Sequence, residues 1–241
     1  MKISVITPSV RKDFLEIIEK CLSRSSFPSD FYEWIVVSPQ DWGFGIWVED
    51  PPKREGDFYG LNKAWNAGIK EAEGELFVSI VDGLWFPPDT LQRLWDHYER
   101  DPMSCVSLAG HHFDQMEHDK PEHLVWIDPK VKDIGSLERI DPVDFELCIA
   151  SLPMKGIKET GGFDEEFDKF PAWSEKELAL RMEKTGYKCY LDHSMQFRAI
   201  HHPRLNEQWD KKFPESTAYF QKCHKEIQEG KRLRLDFLGK K

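Results

Sequence analysis

The sequence GLNKAWNAGIKEAEGELFVSIVDG, residues 60–83, contains the pattern that decides the fold. Its first part has the period of a helix, because four apolar residues recur on one helical face: Leu61, Trp65, Ile69 and Ala72. Its second part, residues 76–82, is apolar almost throughout, which is typical of a strand covered on both faces. A helix followed by a buried strand that ends in Asp82 predicts one unit of a parallel α/β sheet.

The rest of the chain extends this pattern. Apolar, β-branched runs recur at 3–7, 34–38 and 146–152, with helical periods between them. We therefore predict an α/β domain with a mostly parallel central sheet flanked by helices, the unit of a nucleotide-binding half-domain. Residues 103–145 lack sustained periodicity and predict a loop-rich or short-strand excursion. Residues 204–230 predict a C-terminal helical segment broken at Pro214.

Composition limits the classes of protein. The 241 residues include 33 basic and 43 acidic residues, a net charge of −10, which makes nucleic acid an unlikely partner. With no apolar run long enough to span a membrane, no signal peptide and five scattered cysteines, we expect a cytoplasmic protein with reduced thiols. The basic tail KRLRLDFLGKK could make peripheral contact with a membrane or a phosphorylated acceptor, although a solvated terminus is the more common interpretation.

Four segments together resemble glycosyltransferase family 2, with the GT-A fold, over roughly residues 2–203. They are ISVITPSV, YEWIVVS, the 60–83 stretch and GGFDEEFDKFPAWSEKELALRMEKTGY. The resemblance implies a nucleotide-sugar-binding half at about 1–100, an acceptor half at about 101–203 and a C-terminal helical extension at 204–241. It also implies a hexosyl or pentosyl transferase of glycan biosynthesis.

In such enzymes the first strand and the end of the second strand contact the nucleotide. Thr7, Pro8 and Ser9 match the first position, so their backbone and hydroxyl groups are expected near the base or ribose; the alternative is a strand-to-helix turn capped by Ser9. Asp41 stands near the second position, where relatives have consecutive acids. It is either a nucleotide contact or a turn residue.

The helix within 60–83 matches the family segment beneath the donor diphosphate. Lys63 and Asn66 are one turn apart and would present a cation and an amide to that diphosphate, whereas a solvated Lys63 is the alternative. Trp65 is expected in the core against Leu61 and Ile69.

Asp82 matches the first acid of the family's metal-binding Asp-x-Asp, but Leu84 replaces the second acid. Gly83 would let the donor phosphates approach the backbone. A divalent cation, Mn²⁺ or Mg²⁺, could still be held by one carboxylate, phosphates and water. His201 or His202, after the last strand, would complete the metal site, with His201 favoured.

Glu175 matches the family's catalytic base, although relatives usually have Asp there. Ser174 and Glu177 have the S-x-x-E form of a capping box, which assigns Glu177 to the helix start and leaves Glu175 for chemistry. The helix dipole is expected to keep Glu175 ionised.

The acceptor-side loop of the family resembles residues 161–170. Gly161 and Gly162 would allow a tight backbone path near the sugar, and Asp164 would contact donor hydroxyls. Trp173 would stack on a sugar ring or, equally, anchor the core.

These features together predict an inverting glycosyltransferase. It would transfer a sugar from a nucleoside diphosphate sugar to a hydroxyl of a glycan, lipid-linked or small-molecule acceptor. A binding protein that keeps the GT-A fold without turnover is one alternative, and a glycosyltransferase acting on modified nucleic acid is another.

Overall fold

The computed structural model describes residues 1–114, 120–133, 135–200 and 206–239, which form one sheet flanked by helices. The strands of this part of the chain are β1 Ile3–Pro8, β2 Tyr32–Ser38, β3 Ile46–Glu49, β4 Leu76–Ile80, β5 Leu84–Trp85, β6 Ser104–Phe113, β7 Leu124–Ile127, β8 Leu137–Arg139, β9 Ile149–Pro153 and β10 Lys188–Ile200. The α-helices are α1 Lys12–Leu22, α2 Leu61–Glu71, α3 Thr90–Arg100, α4 Met154–Thr160, α5 Ser174–Lys184 and α6 Asn206–Gln228.

The sheet runs in the order β3-β2-β1-β4-β9-β6-β10-β5, with β7 paired to β6 and β8 to β10. The parallel pairings join β1 with β2 and β4, β2 with β3, and β6 with β10. Strand β9 lies antiparallel to both β4 and β6. The predicted α/β class with a largely parallel sheet is therefore confirmed. Because β1 and β4 are parallel, their carboxyl ends open at the same edge of the sheet.

Two apolar layers cover the faces of the sheet. One contains Leu15 and Ile18 of α1, and the other contains Trp65 of α2. The Trp65 ring stacks on Phe163 with centroids 6.1 Å apart. The predicted core role of Trp65 is confirmed, but Leu61 is 39% exposed and does not share it.

Two predictions about chain organisation are wrong. Residues 104–113, predicted as part of the loop-rich excursion, form a ten-residue central strand, β6. Small side chains and two histidines interrupt its β-branched run in the sequence, but they do not interrupt its pairing with β10. Helix α6 continues through Pro214, which is exposed at the surface. Burial of Phe220, Cys223 and Ile227 further along the helix stabilises it despite the missing N–H.

The chain after α6 folds back onto the domain. Leu235 N donates to Thr160 O at 2.8 Å, at the end of α4. The neighbouring Gly161 has φ 85°, and an added Cβ would lie 1.7 Å from Leu235 O. No helix in the described ranges has the length and apolarity needed to cross a bilayer.

Replacement of Gly161 tests this docking. We expect Gly161→Ala to lower the free energy of unfolding by about 2–4 kcal/mol, because it adds a steric clash to the strain of a positive φ. Gly230→Ala is the control, since Gly230 has φ 71° with open space around it. Its cost should stay near 1 kcal/mol. Equal urea midpoints for the two variants would contradict the docked position of Leu235.

Candidate active site

Asp82 lies at the sheet edge where β1 and β4 end, and it is held by an arginine. We refer to this edge, with Ser9, Arg11 and Asp82, as the crevice, because ligands of open α/β sheets bind outside the carboxyl ends of the strands. Arg11 Nη2 donates to Asp82 Oδ1 at 2.7 Å, and Arg11 Nε donates to Oδ2 at 3.1 Å. Ser9 Oγ donates to the same Oδ2 at 2.8 Å and accepts from Arg11 N at 3.0 Å. Ser9 thus holds both the turn after β1 and the Asp82 carboxylate. The Arg11–Asp82 ion pair is a bidentate, charge-assisted contact.

The residues after Asp82 are fixed by packing. Gly83 has φ 75°, and a Cβ there would lie 2.8 Å from the Phe14 ring. The positive φ and the closeness of the Phe14 ring explain why position 83 is a glycine, whether or not a ligand approaches it. Leu84, the first residue of β5, is 2% exposed and belongs to the hydrophobic core. An acid at that position would have to be desolvated.

The residues around Asp82 do not fit a bound divalent ion. Both carboxylate oxygens of Asp82 are engaged by Arg11 and Ser9, and a cation there would be repelled by the guanidinium. Among the described residues no group of three or more His, Cys, Asp or Glu side chains could hold a metal. The predicted role of Asp82 as a metal ligand finds no support in these contacts and stays a prediction. His201 and His202 lie outside the described residues, and their role stays a prediction.

The other positions predicted to face the nucleotide differ in exposure: Thr7 is buried at the end of β1, and Asp41 is in an exposed turn. Thr7 is buried beside the crevice, and its hydroxyl accepts from Trp34 Nε1 at 3.1 Å, while Pro8 ends β1. Asp41 Oδ1 accepts from Gly43 N at 2.8 Å in an exposed turn, which agrees with the turn interpretation.

Lys63 and Asn66 do not face a common ligand. Lys63 Nζ is 2.5 Å from Asp57 Oδ2, and both side chains are buried. The Asn66 amide donates to Phe163 O at 2.9 Å and accepts from Phe163 N at 2.9 Å. The prediction that the two bind the diphosphate is therefore wrong, because each side chain ties α2 to a neighbouring loop.

A cavity of about 360 Å³ contains the predicted base. Its lining includes six aromatic side chains together with Glu146, Ser174, Glu175 and Lys176; the aromatic residues are Tyr59, Phe167, Phe170, Trp173, Trp209 and Phe213. Glu175 is in the first turn of α5 and is partly exposed. The cavity therefore combines a carboxylate with surfaces suited to the apolar face of a sugar.

The charge on Glu146 and burial both act on Glu175. Burial, followed by the negative charge of Glu146, raises the pKa of Glu175 above its ordinary value. Glu146 is itself bridged by Lys176 Nζ at 2.9 Å and Lys130 Nζ at 3.1 Å. Burial and Glu146 thus act against the helix dipole, and the expectation that the helix start keeps Glu175 ionised stays a prediction. A carboxylate with a raised pKa is a stronger base once ionised.

The segment directly before β9 pairs with the end of β4 and lies near the carboxylates of the cavity. Val81 N, next to Asp82, donates to Cys148 O at 3.0 Å. Burial raises the pKa of the Cys148 thiol to about 12, with Glu146 and Glu175 adding to the effect. The end of β4 and the carboxylates Glu146 and Glu175 therefore both lie near Cys148.

Trp173 anchors helix α6 rather than presenting a free ring face. Its ring stacks on Phe220 with centroids 5.0 Å apart and an interplanar angle of 15°. Trp173 is also the one non-glycine residue with positive φ in the described chain, at 81°. This conformation turns the chain into α5 directly before Glu175. The core interpretation is favoured, and the Trp173 edge lines the cavity.

Glu177 belongs to a buried charge cluster, not to a capping box. It accepts from Arg181 Nε and Nη2, at 2.9 and 2.8 Å, and from Arg232 Nε at 2.9 Å. Arg181 also donates to Thr160 O and Gly162 O, and both Glu177 and Arg181 are fully buried. The capping prediction is wrong because two guanidinium groups hold the Glu177 side chain away from the helix start.

Asp164 belongs to the same cluster. It is 1% exposed, binds Arg232 and accepts from Tyr219 Oη at 2.8 Å. Gly161 and Gly162 contact Leu235 and Leu238 of the C-terminal segment. The three residues predicted to face the sugars therefore attach the C-terminal segment to the domain.

Sequence reasoning missed four residues: Arg11, Glu146, Asp168 and Arg232. Asp168 accepts from Asn62 N at 2.7 Å and Lys63 N at 3.2 Å, which caps α2 from a distant loop, and burial raises its pKa to about 6. Only Arg11 had a local signal, an arginine directly after the first strand. The other contacts span many residues and leave no short pattern.

Comparison with known proteins agrees with this architecture. Residues 53–155, which include α2 and Asp82 but end before α5, match the model of Glycosyl transferase family 2. The crystal structure of S. aureus TarS 1-349 superimposes with a TM-score of 0.67 at 13% identity, covering 92% of this chain and 65% of that chain. The chain therefore spans somewhat less than two thirds of that relative.

Complexes of the same relative superimpose similarly. TarS 1-349 in complex with UDP gives a TM-score of 0.64 at 13% identity, covering 95% of this chain and 71% of that one. The complex with UDP-GlcNAc gives 0.64 at 11% identity, covering 95% and 72%. No curated protein sequence matches the chain. The chain therefore has a GT-A fold, and the predicted resemblance to glycosyltransferase family 2 is confirmed over residues 53–155.

Glu177 gives a test of the buried cluster. We expect Glu177→Gln to lower the free energy of unfolding by about 3–5 kcal/mol, because it leaves Arg181 buried without its counter-charge. Glu183→Gln is the matched control on the same helix. Its ion pair with Arg139 is between side chains that are 35% and 43% exposed, so the loss should stay below about 1 kcal/mol. Similar denaturant midpoints for both variants would contradict the cluster.

Proposed function

We propose that this chain is an inverting glycosyltransferase that moves a sugar from a nucleoside diphosphate sugar to an acceptor hydroxyl, with Glu175 as the base. The observation that carries the proposal is the cavity that contains Glu175, placed beside the carboxyl end of β4 in a GT-A fold. The S. aureus TarS complexes with UDP and UDP-GlcNAc support a nucleotide-sugar donor.

The donor would bind in the crevice of Ser9, Arg11 and Asp82. This places the diphosphate at the carboxyl edge of the parallel strands, where ligands bind in open α/β sheets. Thr7 and Pro8 form the end of β1 on the same edge. The sugar would then extend toward the segment at Cys148, between the crevice and the cavity.

The acceptor would bind in the cavity. Aromatic surfaces contributed by the 167–173 loop and by α6 suit the apolar face of a sugar ring or a comparable small molecule. Glu175 would accept the hydroxyl proton as the oxygen attacks the anomeric carbon, and the leaving diphosphate would carry away the bonding electrons. We propose that the C-terminal extension at 204–241 completes this acceptor site, since Trp209 and Phe213 line it.

A variant of the base tests the proposal directly. Glu175→Gln should reduce sugar transfer by about 10² or more and leave donor affinity within a few-fold, since an amide can hold a hydroxyl but cannot accept its proton. The assay is release of nucleoside diphosphate from a panel of nucleotide sugars, with simple sugars and water as acceptors. Glu183→Gln, on the exposed side of α5, should retain full turnover. Near-native turnover by Glu175→Gln would remove Glu175 from the mechanism.

The electrostatics of the cavity predict a pH profile. Because a base acts when ionised and the pKa of Glu175 is raised, kcat/KM should rise with pH through a pKa higher than the ordinary glutamate value and then level off. Glu146→Gln removes one cause of that rise in pKa, so the acid limb should move to lower pH. Glu99→Gln, whose side chain is 57% exposed on α3, should leave the limb in place. An unmoved limb in Glu146→Gln would show that another group is titrating.

A further inference from the structure

Two polar atoms of residues that line the cavity at Glu175 have no hydrogen-bond partner in the part of the chain that the structure describes. They are Oδ1 of Asn62, an acceptor, and Nε1 of Trp173, a donor. Asn62 is 3% exposed, so bulk water does not satisfy its carbonyl. A buried polar group without a partner opposes folding, and native proteins contain few of them. An acceptor and a donor of this kind at one cavity point to a ligand that engages both.

The orientation of the Asn62 amide is fixed from its other side. Asn62 Nδ2 donates to Asp168 Oδ1 at 2.9 Å, and the backbone N of Asn62 donates to the same oxygen at 2.7 Å. At neutral pH, above its pKa of about 6, Asp168 is a carboxylate and accepts only. A flipped amide would turn Oδ1 toward that carboxylate, so the contacts assign which amide atom is the oxygen. Asn62 therefore keeps an acceptor without a partner at the start of α2.

The Trp173 ring is fixed by packing, and its N–H is fixed with it. The ring stacks on Phe220 with centroids 5.0 Å apart and lies 5.8 Å from the Phe213 ring. Because an indole N–H donates in the plane of the ring, this packing sets the direction of the donor. Trp173 also directly precedes helix α5, two residues before Glu175. The donor and the proposed base are therefore carried by one short segment.

The charges of the cavity favour a neutral ligand. Its charged lining residues in the described chain are Glu146, Glu175 and Lys176. The Lys176 ammonium is already engaged, since it donates to Glu146 Oε1 at 2.9 Å and to Phe145 O at 3.3 Å. A phosphate or carboxylate on the ligand would therefore face two carboxylates and a lysine that is paired with one of them. A hydroxyl group carries no charge and can both donate and accept.

We propose that Asn62 and Trp173 bind hydroxyl groups of the acceptor, and that the acceptor is a neutral sugar rather than a phosphorylated or carboxylated one. One hydroxyl donates to Asn62 Oδ1, another accepts from Trp173 Nε1, and a third loses its proton to Glu175. Asn62 and Trp173 are thus specificity-determining residues. The inference rests on the proposed function, in that it takes the cavity at Glu175 as the acceptor site.

Added sugars test the class of the acceptor. The nucleotide sugar that the full chain hydrolyses is incubated with methyl β-glycosides of glucose, galactose and N-acetylglucosamine, and separately with glucuronic acid and glucose 6-phosphate. We expect at least one neutral glycoside, and neither acidic sugar, to raise the release of nucleoside diphosphate above the rate with water. Stimulation by the acidic sugars alone, or by none of the sugars, would overturn the inference and leave the glycosyltransferase proposal in place.

Variants of the two lining residues test their roles with the active glycoside. Trp173→Phe removes the N–H and keeps a ring against Phe220, and Asn62→Ala keeps the backbone N–H that Asp168 accepts. We expect each variant to lower kcat/KM for the glycoside about tenfold. The matched control is Trp95→Phe, which removes another indole N–H without a partner in the described chain, on α3 and outside the cavity. It should change kcat/KM less than about twofold.

Monodeoxy analogues of the glycoside separate binding from a structural role. Deleting the hydroxyl that Trp173 holds should lower kcat/KM of the wild type about tenfold, and should lower that of Trp173→Phe less than about twofold further, because the contact is already lost. The same reasoning applies to Asn62→Ala. Equal losses by wild type and both variants for every analogue would assign the two residues a structural role and overturn the inference.

A spectroscopic measurement keeps the inference testable if Asn62→Ala fails to fold in thermal unfolding. The indole N–H signal of Trp173 is assigned in ¹H–¹⁵N spectra by its absence from Trp173→Phe. It should move downfield when the glycoside binds, because the N–H gains an acceptor. A signal that does not move at a saturating concentration of glycoside would overturn the role of Trp173. Failure to turn over any nucleotide sugar, with water or with a glycoside, would overturn the proposed function as well.

Discussion

The buried pairing of Glu177 with Arg181 is the constraint on which the candidate active site depends. Two fully desolvated charges are tolerable only when each is neutralised and hydrogen-bonded, and here Thr160 O, Gly162 O and Arg232 complete the set. The cluster fixes the first half of α5, and with it Glu175. It also fixes the C-terminal segment, since Arg232 reaches into it from beyond α6.

This arrangement gives the C-terminal extension two roles. Its basic residue Arg232 is 15% exposed and lies inside the domain, and Arg234 Nη1 donates to Glu159 O at 3.3 Å. These contacts give Arg232 and Arg234 of the basic tail partners within the domain, without a membrane or a phosphorylated acceptor. Lys240 and Lys241 lie outside the described residues. Helix α6 meanwhile stacks Phe220 on Trp173 and closes one side of the cavity. The described part of the extension is therefore packed into the domain rather than appended to it.

The sequence was most informative where structure follows from local pattern. Buried strands β1, β2 and β4 and helices α1, α2 and α5 could be predicted because continuous apolarity and helical periodicity are short-range properties. Strand β6 was missed because Ser104, Gly110 and His111 hide the apolar signal of a central strand. At the site, the residue types suggested the chemistry, but their partners could not be inferred.

Long-range pairing explains those errors. Lys63 was expected to face phosphate and instead pairs with Asp57, while Asp164 was expected to face a sugar and instead binds Arg232. In each case a charged residue matched a family position, and an oppositely charged residue elsewhere in the chain determined which way its side chain points. Asp82 is the clearest example, because the interpretation of its site changes once Arg11 is seen beside it. A single sequence does not report such pairs.

The central claim is that the sugar is transferred in a single displacement assisted by Glu175. The stereochemistry of the first product formed tests it most directly, because one displacement inverts the anomeric carbon and two displacements restore it. The measurement is proton NMR of the anomeric signal during turnover of an α-linked nucleotide sugar, before the product equilibrates. The account predicts a β-linked product at the earliest time points. An α-linked first product would contradict it and would require a different mechanism at this site.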